Sequence, residues 1–147
     1  MLTIDDSSDE ASGYIVNDTY SSDNSVIYVS GGSFTLSGGT ITNKYSEGGI
    51  GISIENDADF TLTGGTITGN ISTAEGAGVV VSNSTFLMED GDITSNTSDE
   101  EGAGVYLSQS TFVMDGGCIS DNTSSGSGGG VYSYSSDVVT LNQQNLR

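Results

Sequence analysis

Phe60-Thr-Leu-Thr-Gly-Gly-Thr-Ile67 is written again as Phe86-Leu-Met-Glu-Asp-Gly-Asp-Ile93 and a third time as Phe112-Val-Met-Asp-Gly-Gly-Cys-Ile119, each copy 26 residues after the last. The same step backwards lands on Phe34-Thr-Leu-Ser-Gly-Gly-Thr-Ile41, and forwards on Val138. A period of this length marks an array of units, none of which buries its apolar face alone. Within the period, Ile27-Tyr-Val29, Ile52-Ser-Ile54, Val79-Val-Val81, Val105-Tyr-Leu107 and Val131-Tyr-Ser133 alternate. Their first and third residues are predicted to face inward and the middle one outward.

A second strand follows, with Phe34/Leu36, Phe60/Leu62, Phe86/Met88 and Phe112/Met114 inward. Glycine pairs, or Asp90-Gly91, break it, and a third segment turns Ile41, Ile67, Ile93 and Ile119 inward. Asn70, Asn96 and Asn122 end that segment three residues after each isoleucine. Three short strands per 26 residues, with like residues one period apart, predict an all-β parallel β-helix of about five coils. Each side chain then stacks on its equivalent about 4.8 Å away, the distance between neighbouring strands. Helices are excluded by the abundance of Gly, Ser, Thr and Asn and by β-branched residues at period two.

The array divides the chain into residues 1–25, 26–137 and 138–147. In the first part Gly13-Tyr-Ile-Val-Asn17 lies 26 residues before Gly39-Thr-Ile-Thr-Asn43, so a degraded half-coil and a cap are expected there, with Leu2 and Ile4 adding a short strand. The middle part carries the repeats. The last, polar part forms a partial coil or a tail, and an open final core layer would favour further coils or self-association.

Glycine, 22 of 147 residues, recurs at fixed repeat positions, while Pro, Trp and His are absent. Asp and Glu number 20 against two Lys and Arg, for a formal charge of −18. Such a surface repels phosphate, so nucleic acid and acidic lipid are excluded as partners, as are polyanionic sugars without a bridging cation. No apolar run approaches the roughly 20 residues of a membrane-spanning helix, and the first residues show no secretory signal. Cys118 is the only cysteine, which rules out an internal disulfide. It occupies an outward position, that of Thr40, Thr66 and Asp92, and is expected to be an exposed thiol.

Gly-Gly-Thr-Ile-Thr-Gly-Asn (64–70), followed by Gly-Ala-Gly-Val (76–79 and 102–105) and Gly-Gly-Gly-Val (128–131), resembles the repeats of right-handed parallel β-helix proteins of bacterial surfaces. Polymorphic outer-membrane proteins and autotransporter passengers are the nearest in style, through the Gly-Gly-x-Ile units at 38–41, 64–67 and 116–119. The resemblance implies a right-handed winding, an extracellular or cell-surface location and adhesion, with no catalytic residues to carry over.

Four sets of residues invite a functional reading. Tyr28, Val80, Tyr106 and Tyr132, with Tyr134 beside them, are expected to line one outward face, suited to stacking on a glycan or meeting a host or cell-surface protein. Glu75 lies one period from Glu101, as Glu89 does from Asp115. Stacked carboxylates splay into water or share a cation, and Glu75, Asp99, Glu100 and Glu101 are the set that calcium, a hard ion, could use. The asparagines are expected to form a turn ladder in the left-handed conformation, and all three, with Asn83, read as Asn-x-Ser/Thr. Thr40-x-Thr42 above Thr66-x-Thr68 resembles the threonine arrays of ice-binding solenoids.

Catalysis finds little support. Without histidine, Ser-His and Cys-His nucleophiles are excluded. Two similar carboxylates such as Glu89 and Asp115 lack the contrast in environment that separates a general acid from its partner. The expectation is a non-enzymatic surface or secreted binding module that requires no cofactor, with calcium as the possible exception. The alternatives are a truncated polysaccharide-active enzyme or phage tailspike module, and an ice-binding solenoid.

Overall fold

The computed structural model describes residues 2–4, 14–17, 25–43, 49–135 and 137–142. Every strand pair is parallel, and the chain winds through four sheets in turn, with strands numbered in chain order. The first sheet stacks β1 (Leu2–Ile4), β4 (Ser33–Leu36), β7 (Asp59–Leu62), β11 (Thr85–Met88), β15 (Thr111–Met114) and β19 (Val138–Leu141). The second stacks β3 (Ser25–Ser30), β6 (Ile50–Glu55), β10 (Val79–Ser82), β14 (Val105–Ser108) and β18 (Val131–Ser133). The third holds β2 (Tyr14–Asn17), β5 (Thr40–Asn43), β8 (Thr66–Thr68), β12 (Asp92–Thr94) and β16 (Cys118–Ser120). A fourth, of two-residue strands, holds β9 (Ile71–Ser72), β13 (Thr97–Ser98) and β17 (Thr123–Ser124). This is a β-solenoid, as the period predicts.

The register follows the repeat. Phe34, Phe60, Phe86 and Phe112 are direct partners, as are Ile41, Ile67, Ile93 and Ile119. Tyr14 to Asn17 pair with Thr40 to Asn43, and Leu2 and Ile4 pair with Phe34 and Leu36. The predicted 27-residue offset of coil two is present, since Ile52 pairs with Val79.

Three details differ from expectation. The regular spacing closes about four turns rather than five, because the first turn, from Leu2 to Phe34, takes 34 − 2 = 32 residues. At the other end Phe112 pairs with Val139 instead of Val138, a slip of one residue absorbed between β18 and β19. Turns take up such insertions because lengthening a loop costs little entropy. The fourth sheet is also additional to the three strands per coil. Its strands are too short to show a period, yet Ser72 and Ser98 are buried within it.

The core is a set of ladders along the solenoid axis. The four phenylalanines are buried and stack with ring centroids 5.3, 4.7 and 4.9 Å apart. Offset stacking of this kind adds about 0.5–1.5 kcal/mol per pair to simple burial. Leu36, Leu62 and Met88 form a second buried column, and Ile41, Ile67 and Ile93 a third. The last layer is less complete. Met114, Ile119 and Val131 are only partly buried, Ser133 is exposed rather than inward, and Val138, Val139 and Leu141 are exposed.

Candidate functional site

The second sheet carries the outward tyrosines, and its register runs Tyr28, Ser53, Val80, Tyr106, Tyr132. The tyrosine row is therefore broken. Ser53 and Val80 stand between Tyr28 and Tyr106, and the Tyr28 hydroxyl instead donates to the Glu55 carboxylate. Tyr106 and Tyr132 stay together, with rings stacked 5.7 Å apart at 21°. Tyr134 is 65% exposed beside them, anchored by its amide to the Leu107 carbonyl at 3.0 Å.

Glutamates flank this pair. The turns that enter β10 and β14 pass through Gly76 and Gly102, both left-handed, at φ 70° and 71°. A Cβ on Gly102 would come within 2.9 Å of the Tyr106 Cβ, so only glycine lets the turn lie against the root of the ring. The residues just before these glycines, Glu75 and Glu101, are thereby held beside Tyr106. Burial raises the Tyr106 phenol above its ordinary 10.0, and Glu75, Tyr132, Tyr134 and Glu101, in that order, add to the rise. Each disfavours a new negative charge.

A phenol raised in the folded state contributes stability that is complete below pH 10 and is lost as pH climbs through its folded value. In a spectrophotometric titration of the folded protein, a late tyrosinate step is expected above the ordinary range. Tyr106→Phe should remove that step and leave the earlier ones. An unchanged late step in the variant would refute the assignment.

The acids expected to share calcium border the same turns, but among the described residues no three carboxylates converge as a metal would require. Glu75, Asp99 and Glu100 are exposed, and Glu101 leans toward the next coil, where a Cβ on Gly126 would lie 3.1 Å from its Oε1. Glu89 and Asp115 are exposed at the end of the first sheet, where Asp115 accepts from Asn142 Nδ2 at 2.7 Å.

The asparagine ladder is present, but the left-handed residues are those just before it, Gly69, Ser95 and Asp121. That turn points each asparagine inward. Asn96 Oδ1 accepts from the Asn70 amide (3.1 Å) and Nδ2 (2.8 Å), while its own Nδ2 donates to Asn122 Oδ1 (2.9 Å) and to the Ile67 carbonyl (3.1 Å). Asn43, absent from the sequence reading, belongs to the ladder through its amide, 2.7 Å from Asn70 Oδ1. Burial of Asn70 and Asn96 makes them unfit as glycosylation acceptors, whereas Asn83 is exposed in a left-handed turn.

A further polar ladder went unread. Ser84 Oγ accepts from the Ala58 amide at 3.1 Å, Ser110 Oγ from the Ser84 amide at 3.3 Å, and Asp137 Oδ1 from the Ser110 amide at 2.6 Å. Its signal was visible in Ser84 and Ser110, one period apart. Elsewhere, Thr40 and Thr66 line an open groove of about 380 Å³ with Asp90 and Asp92, so the surface weighed for ice is concave and charged there. Cys118 is exposed on β16.

A family model described as a right handed beta helix region matches residues 3–147. No curated protein and no solved structure matches the chain.

Proposed function

The chain belongs to the right-handed β-helix family, and from that premise we propose that it is a non-catalytic, adhesin-like module of a cell surface or of a secreted protein. It binds a glycan or protein partner through Tyr106, Tyr132 and Tyr134 and the acidic turns beside them. The observation that carries this reading is the stacked tyrosine pair on a parallel sheet, with Glu75 and Glu101 held at its flank. Aromatic rings on a rigid element supply contact area with little side-chain entropy to lose. The Gly-Gly-x-Ile units support the comparison with autotransporter passenger repeats and hence the surface placement.

Tyr28 is set apart from this site by two rungs and by its contact with Glu55. Calcium has no part in the proposal, since the acids do not converge. The test is a glycan array together with a panel of synthetic peptides. Binding without turnover is expected, and Tyr106→Ala or Tyr132→Ala should weaken it about tenfold, or roughly 1.4 kcal/mol, with the circular dichroism of the solenoid preserved. Binding that ignores both substitutions would overturn the proposal.

The groove with Asp90 and Asp92 favours a second reading, a polysaccharide-active module. Release of reducing ends from a polysaccharide, abolished by Asp92→Asn, would establish it in place of the first.

A further inference from the structure

On the reading that the tyrosine face is the binding surface, we propose that its partner is a cationic polypeptide segment whose arginine or lysine side chains lie against Tyr106 and Tyr132 beside Glu75 and Glu101. Three observations meet there. The first is the exposed aromatic system: Tyr106 and Tyr132 stacked at 5.7 Å, with Tyr134 65% exposed next to them. A ring face carries negative potential and attracts ammonium and guanidinium groups. The second is the pair of carboxylates, brought to the flank of Tyr106 by turns that only glycine permits. The third is the charge of the whole chain, 20 acids against two basic residues, which leaves the face with almost no cations of its own to satisfy it.

Charge complementarity separates the possible partners. A neutral glycan stacks on tyrosine but gains nothing from the carboxylates as charges, and an anionic one is repelled. A basic segment uses both, and its encounter with the face is accelerated by the long-range field. Arginine fits this combination best, because its planar group stacks on an aromatic ring while its N–H fork donates to a carboxylate.

The experiment uses the full chain and a fluorescent peptide of alternating arginine and serine, its citrulline counterpart, and neutral oligosaccharides. The arginine peptide is expected to bind, more weakly as salt rises, and the citrulline peptide to bind at least about tenfold less tightly. Tyr106→Leu, and separately Glu75→Gln with Glu101→Gln, should each weaken the arginine peptide about tenfold. Glu89→Gln with Asp115→Asn removes the same charge from the first sheet and should cost less than about twofold. Equal losses from the two double variants would reduce the effect to general attraction by an acidic protein and overturn the proposal. Oligosaccharide binding that depends on Tyr106, without peptide binding, would also overturn it while leaving the tyrosine face as the binding surface. Binding of neither probe would remove both.

Discussion

Asn96→Ala is expected to lower the unfolding free energy by about 3–5 kcal/mol, well beyond the value of a single hydrogen bond. The side chain is fully buried and joins three coils. It accepts twice from Asn70, and it donates to Ile67 in the coil before and to Asn122 in the coil after. Alanine removes every one of these bonds and leaves the Asn70 amide and the Ile67 carbonyl buried without partners, at roughly 1–3 kcal/mol apiece. Asn96→Asp keeps the shape but puts an acceptor, or a buried charge, where Nδ2 met Asn122 Oδ1, so it should rescue nothing at neutral pH. Asn122→Ala should cost less, because Asn122 is only half-buried. Urea denaturation of the three variants measures this order. A cost below about 1 kcal/mol for Asn96→Ala, or a larger one for Asn122→Ala, would show that the ladder does not hold the coils together.

The ladders also show where a sequence can be read and where it cannot. Phe34, Phe60, Phe86 and Phe112 announce their stack because an array repeats its core residue at the period of its winding, and the structure stacks all four. Alternation in Val79-Val-Val81 likewise gives facing, since pleating puts successive side chains on opposite sides. The asparagines expose a limit. Ser95 and Asn96 both suit a turn, and which one turns left-handed is decided by what Asn96 meets one coil away. Local propensity contains no such information. The two-residue strands, such as Thr97–Ser98, fail for a simpler reason, as alternation needs more residues than they have.

The candidate site was half legible. Tyr106 and Tyr132 share a register that counting by 26 reveals, and they stack. Glu75 was assigned to a calcium set because acids cluster near it in sequence. Its place beside Tyr106 depends on the bare backbone of Gly76 and Gly102, which lets the turn settle against the side chains of the second sheet. The clue was present in the glycine that follows each glutamate, but its meaning required the packing. Tyr28 looked like a member of the same row because its neighbours on the next two rungs, Ser53 and Val80, had not been weighed as interruptions.

Phe86→Ala carries the second large effect, about 3–5 kcal/mol, the usual cost of emptying a buried aromatic site. Phe86 stacks on both sides, with Phe60 at 4.7 Å and Phe112 at 4.9 Å, so its neighbours are themselves held and cannot collapse into the space. Phe112 is equally buried but faces Val139 on its far side, which is 42% exposed, so Phe112→Ala should be relieved by local settling and cost less. Phe86→Leu keeps most of the volume and loses the ring contacts, about 1–3 kcal/mol. Because each coil touches only the next, Phe60→Ala and Phe86→Ala should couple by about 0.5–3 kcal/mol in a double-mutant cycle. Phe34→Ala and Phe112→Ala, three coils apart, should add within about 0.5 kcal/mol. A cycle in which the distant pair couples as strongly as the adjacent one would mean that the column does not act through nearest neighbours, and the winding that places Glu75 beside Tyr106 would need another explanation.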